Sequence, residues 1–409
     1  MYSTVTAAAT LAVALTLVVV RAPLAQPQTG APGTPAVPAR PTTTPAEPDP
    51  VRNGAPVHRK ELLSQLYTVD KIYKSMQGPV SFERTTLGTG GDEPELVWMT
   101  GYRTDVTAPD GHTEASPEFM CHSAVDTSNQ LYQRLFGTAM SLRGNRLFSV
   151  DQGTREQVLP VGFGIPIMSN QQLLVATQVL NHNVVGEPFQ VRQRVRIDFV
   201  RHADLARPLI PLIQHGVYGM ALVEGPDGHF GVAPGAADQA THGPGCSIAD
   251  DMGDRRGAVM DSHGRRFSSF WSVEPGRHEY HTRVTSFISL PYDTTLHYAA
   301  GHLHPFAESI ELFDLTADKS VCKLYARQSE GRIGLAGVDE FSSADGVPLY
   351  RDHEYDLISV YDNTSGVKQD AMATMLLYVR VRDVEFAADA RENDGQPWHR
   401  VAPGPLSSP

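Results

Sequence analysis

Residues 194–200 read RVRIDFV. Val195, Ile197 and Phe199 alternate with Arg194, Arg196 and Asp198. In an extended chain a period of two puts the apolar side chains on one face and the charged ones on the other. That is the mark of a half-buried antiparallel strand. Further strand-like runs are LVWMTGYRTDV (96–106), VTSFISL (284–290), SIELFDL (309–315), CKLYAR (322–327) and TMLLYVRVRDVEF (374–386). Turn signals such as PDG, GPDG, RGN and DNTSG punctuate them. Helical signals are few. RKELLSQLYTVDKIYKSM (59–76) suits one short helix, and NQQLLVATQVL (170–180) suits either state. Many short strands between Gly/Pro turns predict an all-β fold of sandwiches or barrels.

A chain of 409 residues has room for two such domains. Two prolines interrupt the strand pattern at 204–216, so we place the domains at 57–210 and 211–390, with a tail at 391–409. The stretch 224–266 is rich in Gly, Asp and His and is too long for a plain connection. The formal net charge of −12 argues against nucleic acid or an anionic membrane surface as a partner. Three cysteines (Cys121, Cys246, Cys322) cannot all pair, so this is no disulfide scaffold, although one bridge is allowed.

Residues 6–20, TAAATLAVALTLVVV, have the length of a signal-peptide apolar core. Small residues follow, and cleavage after Ala25 gives a signal peptide over 1–25. No Lys or Arg precedes the run and Pro23 sits where a small residue is preferred, so an uncleaved membrane anchor is the alternative. Residues 26–56, rich in Pro, Thr and Ala, form an expected disordered linker. No other segment is apolar enough to span a bilayer. The expectation is export, to the periplasm or the exterior.

Residues 297–305 read HYAAGHLHP. On a strand, His302 and His304 share a face and Leu303 takes the other. Two imidazoles alone make a polar strand face as readily as a metal site, so a third ligand decides. QDAMATMLLY (369–378) offers Met372 or Met375. Two imidazoles and a thioether form a soft, neutral set suited to Cu(I) over zinc, magnesium or calcium. A methionine at a strand start also serves as core filler.

HYAAGHLHP followed by DAM at 370–372 resembles the catalytic half of the copper type II, ascorbate-dependent monooxygenases, which include the peptidylglycine α-hydroxylating and dopamine β-hydroxylating enzymes. The resemblance covers roughly 60–390. It implies two tandem antiparallel jelly-roll domains, a catalytic copper on His302, His304 and Met372, and Met375 left in the core. It also implies a second, electron-transfer copper in the first domain. The matching segments are EFMCHSAVD (118–126) and LNHNVV (180–185), giving His122 and His182 as ligands. Cys121 stands where the family has a further His, and can substitute as a thiolate or pack away from the metal. The carboxylate clamp of the peptidylglycine enzymes falls on Ala300, Thr374 and Leu376, none of which pairs with a carboxylate as Arg does. A peptidylglycine substrate is therefore not expected; another small molecule or peptide is. Ascorbate or another reductant is implied by the resemblance only.

HEYH (278–281) places two His on opposite faces of a strand, a poor metal site. His297 faces away from His302 and His304 and suits a supporting role. Asp261, His263, Phe270 and Trp271 read as structural, and Asn363-Thr364-Ser365 is a glycosylation sequon. The chain has no G-x-S-x-G, P-loop, dinucleotide fingerprint or H-E-x-x-H. Three functional expectations result: an exported copper monooxygenase with one or two ions, a non-catalytic copper capture or delivery protein, and a metal-free structural jelly roll.

Overall fold

The computed structural model describes residues 51–88, 90, 93–127, 146–233 and 258–381. The signal segment, the linker up to residue 50, Cys246 and the tail lie outside them. All the described residues belong to one compact unit.

The fold is all-β, and the chain folds the same way twice. The first half has eight principal strands: β1 (His58–Leu63), β2 (Val80–Thr85), β3 (Leu96–Thr107), β4 (Met120–Asp126), β5 (Arg146–Asp151), β6 (Phe163–Met168), β7 (Leu173–Val179) and β8 (Phe189–Arg201). The second half has β9 (Ile210–Tyr218), β10 (Gly276–Arg283), β11 (Thr294–Leu303), β12 (Ala307–Asp314), β13 (Lys319–Gln328), β14 (Glu340–Leu349), β15 (Tyr355–Asn363) and β16 (Ala373–Arg380). The first half pairs them as β1-β8-β3-β6 and β2-β7-β4-β5. The second repeats the order as β9-β16-β11-β14 and β10-β15-β12-β13. Two four-stranded sheets wound in that order are a jelly roll, so the two halves are tandem jelly rolls.

One parallel pairing joins them. β6 lies beside β9, with Phe163 opposite Ile210 and Gly164 opposite Pro211. The inner sheets of the two halves thus form one continuous sheet of ten strands, the eight named and the short strands Tyr67–Val69 and Glu156–Val158. The boundary read at residue 210 falls on the first residue of β9.

Alternation explains the strands and the core. In β8, Val195, Ile197 and Phe199 are buried. In the opposite direction Arg196 pairs with the buried Asp105, and Asp198 takes a bidentate bond from Arg59. Each buried apolar side chain of this size stabilises the fold by about 1.5–3 kcal/mol. Polar groups inside are bonded: the Tyr102 hydroxyl lies 2.6 Å from Ser123 Oγ, and Tyr378 Oη donates to the Leu147 carbonyl at 3.0 Å. These links tie the large sheet to β4 and β5 of the sheet across the first core.

Three local expectations are corrected. Residues 59–76 form no helix: β1 and the short strand Tyr67–Val69 occupy them, with Tyr67 and Val69 buried two apart. A period of two beat helical propensity because β8 offers an edge to pair with. VTSFISL contains a short helix, Thr285–Ile288, in place of a strand. The last six residues of the expected linker are folded: Val51–Arg52 pairs with Ala55–Pro56, and Ala55 is buried beside Leu96 and Trp98.

Candidate metal centre

β11 ends on His302 and Leu303, and His304 follows in a tight turn. The turn runs His304-Pro305-Phe306-Ala307, closed by the Ala307 N–H donating to the His304 carbonyl at 3.3 Å. Proline at the second position and a left-handed third residue (Phe306, φ 70°) are the type II signature. A phenylalanine there is strained. Phe306 is held by its N–H to Gln328 Oε1 at 2.8 Å and by its carbonyl to the Asp362 N–H at 2.8 Å.

The glycine before the pair has a packing reason. A Cβ on Gly301 would stand 3.2 Å from Ile310 and 3.3 Å from Val338. Its absence lets β11 lie close on the opposing sheet. The His302 and His304 rings then sit on one side, 5.6 Å apart between centroids. His302 pairs across the sheet with Thr374, and Leu303 with Ala373. Met372 stands just before β16, next to Ala373, and its carbonyl accepts from Tyr361 Oη at 2.6 Å. Met375 is fully buried, and the Cys322 thiol donates to its sulfur at 3.7 Å.

The residues assigned to the first half come to the same place. His122 lies on β4, and its ring is 6.4 Å from that of His302, edge to face. His182 follows the end of β7 in a loop held by Asn181. Burial lowers the His122 imidazole to about 3, helped by His302, Arg146 and His304. Burial also lowers His182, partly offset by Asp370, with His304 and Lys74 lowering it further. Both rings are therefore neutral at physiological pH, the form that ligates metal. His122 Nδ1 and both nitrogens of His182 are buried and have no hydrogen-bond partner among the described residues.

Two carboxylates back the pair on β11. Asp151 Oδ2 lies 2.7 Å from His302 Nδ1. Asp370 Oδ2 lies 3.1 Å from His304 Nδ1, though the two are too poorly aligned to count as a full hydrogen bond. Burial pushes the Asp370 carboxyl up, but His304 and His182 outweigh it and hold it at about 2. Carboxylates behind imidazoles are the usual outer support of a metal-binding histidine. Neither aspartate was singled out from the sequence.

Cys121 is the extra residue of a bulge in the β4–β7 pairing, which matches Met120 to Val179 and His122 to Gln178. The Met76 N–H donates to its sulfur at 3.5 Å, and burial pushes the thiol up to about 12, against a ligating thiolate. Cys121 and Cys322 are free thiols, and no disulfide occurs among the described residues. Among these residues, no three His, Cys, Asp or Glu side chains converge closely enough to hold one ion as they stand. A third ligand for His302 and His304 has to be of another type, or a side chain has to turn.

The remaining candidates are structural. His297 is buried against Phe163, with its nitrogens on Thr295 Oγ1 and the Ser343 carbonyl at 2.7 and 3.0 Å. His281 is bracketed by Asp356 and Glu279 at 2.7 and 2.8 Å, while His278 only approaches the Pro275 carbonyl. Asp261 forms a buried ion pair with Arg265 at 2.6 Å. Asn363 is buried and fully bonded.

No family model matches the chain, and no curated protein matches it. Among solved structures, the chain is similar to a viral capsid protein, the STIV MCP, at 8% identity and a TM-score of 0.28, over 80% of this chain and 97% of that one. It is also similar to a protein of Parabacteroides distasonis inferred to be secreted, at 10% identity and a TM-score of 0.17, over 79% of this chain and 89% of that one. Likeness this low carries no argument about function. No helix among the described residues is long and apolar enough to cross a membrane.

Proposed function

We propose that this protein is an exported, copper-dependent monooxygenase-like protein, with its catalytic copper on His302, His304 and Met372. The observation that carries the reading is the meeting of four histidines from two jelly rolls, two of which, His122 and His182, keep a buried ring nitrogen without a hydrogen-bond partner among the described residues. Leaving such atoms unpaired costs about 1–3 kcal/mol each, which a bound metal would offset. The donor types fit copper: imidazoles with a thioether would favour Cu(I) and disfavour hard cations.

Copper bound here would supply the activation of O₂ and the hydroxylation of a C–H bond, with electrons from ascorbate or another external reductant. The protein's part lies in its own residues. Asp151 and Asp370 orient His302 and His304. The His304-Pro305-Phe306 turn fixes where the second imidazole stands. His122 and His182, facing this pair, would hold an electron-transfer copper. The positions beside His302, namely Ala300, Thr374 and Leu376, are uncharged and buried, so a substrate carboxylate finds no cation there. A small molecule or peptide other than a peptidylglycine is the expected substrate.

One observation favours a second reading. Burial pushes the Cys121 thiol up to about 12, against a ligating thiolate, which leaves the first-half set with two imidazoles. A protein with a single copper at His302, His304 and Met372, used for capture or delivery, is consistent with that. Ascorbate-driven O₂ uptake in the presence of a candidate substrate separates the two. Uptake abolished by His304→Ala supports the enzyme. Tight copper binding with no uptake for any substrate supports the binding protein.

A further inference from the structure

Asp151 and His302 are 151 residues apart and belong to different jelly rolls, yet their side chains meet at 2.7 Å. Asp151 ends β5, opposite His122 on β4. Its side chain is almost fully buried. Oδ1 is already committed: it accepts from the Gly153 and Thr154 N–H groups, each at 2.8 Å. Only Oδ2 is left for His302. Gly153 itself cannot carry a side chain without striking Val338 at 2.7 Å, and its carbonyl accepts from the Val338 N–H at 2.9 Å. The Thr154 hydroxyl donates to the Gly301 carbonyl at 3.4 Å, one residue before His302. The turn 151–154 is thus pinned onto the second half at Gly301 and at Val338.

We propose that Asp151 is the positioning residue of His302: it holds the imidazole proton on Nδ1 and so presents Nε2 to the metal. This rests on the copper reading for its consequence, but the proton placement is independent of it. An ionised carboxylate only accepts, so the ring nitrogen facing it must donate. The neutral ring carries one proton, and its lone pair is then on Nε2. The first half therefore sets the ligating atom of the second. Copper bound at His302 depends on correct docking of the two jelly rolls.

Asp151→Asn tests this with little change in shape. The two backbone N–H groups retain the amide oxygen, so the amide nitrogen turns to His302 and donates. His302 Nδ1 must then accept, and its proton moves to Nε2, where it blocks ligation. The experiment is long-range ¹⁵N–¹H correlation on the full chain, metal-free, with ¹⁵N-histidine, at pH 8.5, about two units above the ordinary histidine value. His302→Ala assigns the signals. Expected is an Nδ1–H tautomer in the native protein and Nε2–H in Asp151→Asn. Cu(I) alone, titrated against a competing chelator, should bind about 10- to 100-fold more weakly to the variant. Nε2–H in the native protein overturns the proposal, even if the variant does not fold. So does an unchanged tautomer or unchanged Cu(I) affinity in a folded variant. If the native protein has Nδ1–H but binds no Cu(I), the copper reading fails and the role of Asp151 in placing the proton stands.

Discussion

Asn181 and Asn363 do the same work in the two jelly rolls. Each follows or ends the seventh principal strand of its half, β7 or β15, and each is 1% exposed. Asn181 Nδ2 donates to the Lys71 and Val184 carbonyls, while Oδ1 accepts from the Asn183 and Val184 N–H groups. Asn363 Nδ2 donates to the Val273 and Val367 carbonyls, while Oδ1 accepts from the Ser365 N–H and hydroxyl. Both tie the loop after that strand to the segment that leads into the second strand. The same lock recurs, but only the first copy is followed by a histidine, His182.

The sequon at Asn363 is therefore structural. Expressed through a eukaryotic secretory pathway, the folded protein should carry no glycan there, and peptide mapping before and after deglycosylation should show Asn363 unchanged. Asn363→Ala should strand the buried Val273 carbonyl, at about 1–3 kcal/mol. The melting temperature should fall by several degrees; an unchanged value refutes the lock.

His281 gives a pH dependence. Its imidazole is raised above the ordinary value first by the hydrogen bond to Asp356 and then, against burial, by Glu279. A raised histidine stabilises the fold below its unfolded value, about 6.5, and loses that contribution as pH climbs through the folded value. His281→Gln should thus destabilise more at pH 5.5 than at pH 8.5. Urea melts at the two pH values check this, and an equal loss at both rules it out.

The two methionines of QDAMATMLLY should part company. Met375 is in the core, and Met375→Ala should cost about 2–5 kcal/mol. Met372→Ala should leave stability within about 1 kcal/mol and weaken Cu(I) binding. Chemical denaturation and Cu(I) competition together decide; a Met372→Ala protein that binds Cu(I) as tightly as the native one removes the thioether from the site.

Cys121 should be inert. With its thiol buried and pushed up to about 12, it should resist alkylation in the native protein at pH 8 and react after denaturation. Cys121→Ala should leave copper content unchanged. Loss of copper in that variant would restore the thiol as a ligand.

The strands were legible because burial on one face writes period two into the sequence, as in RVRIDFV. Residues 59–76 misled because lysines, leucines and glutamate have helical propensity, and only the partner β8 shows that they pair. HLH was legible as a same-face pair, while the turn that follows it was not read from the sequence. Asp151 was not, since its role depends on a contact between halves that no local pattern encodes. The run DQGT at 151–154 does suggest a side chain capping its own turn, but not what the second oxygen touches. Asp370 stood beside Met372 in the motif that drew attention, and was passed over because the thioether supplied the expected chemistry.

Copper content tests the account most directly. The full chain, loaded anaerobically with Cu(I) and freed of excess by gel filtration, is compared with His302→Ala. The native protein should retain copper, and the variant should retain one equivalent less. A native protein that emerges without copper, or a His302→Ala protein that retains as much as the native one, contradicts the claim.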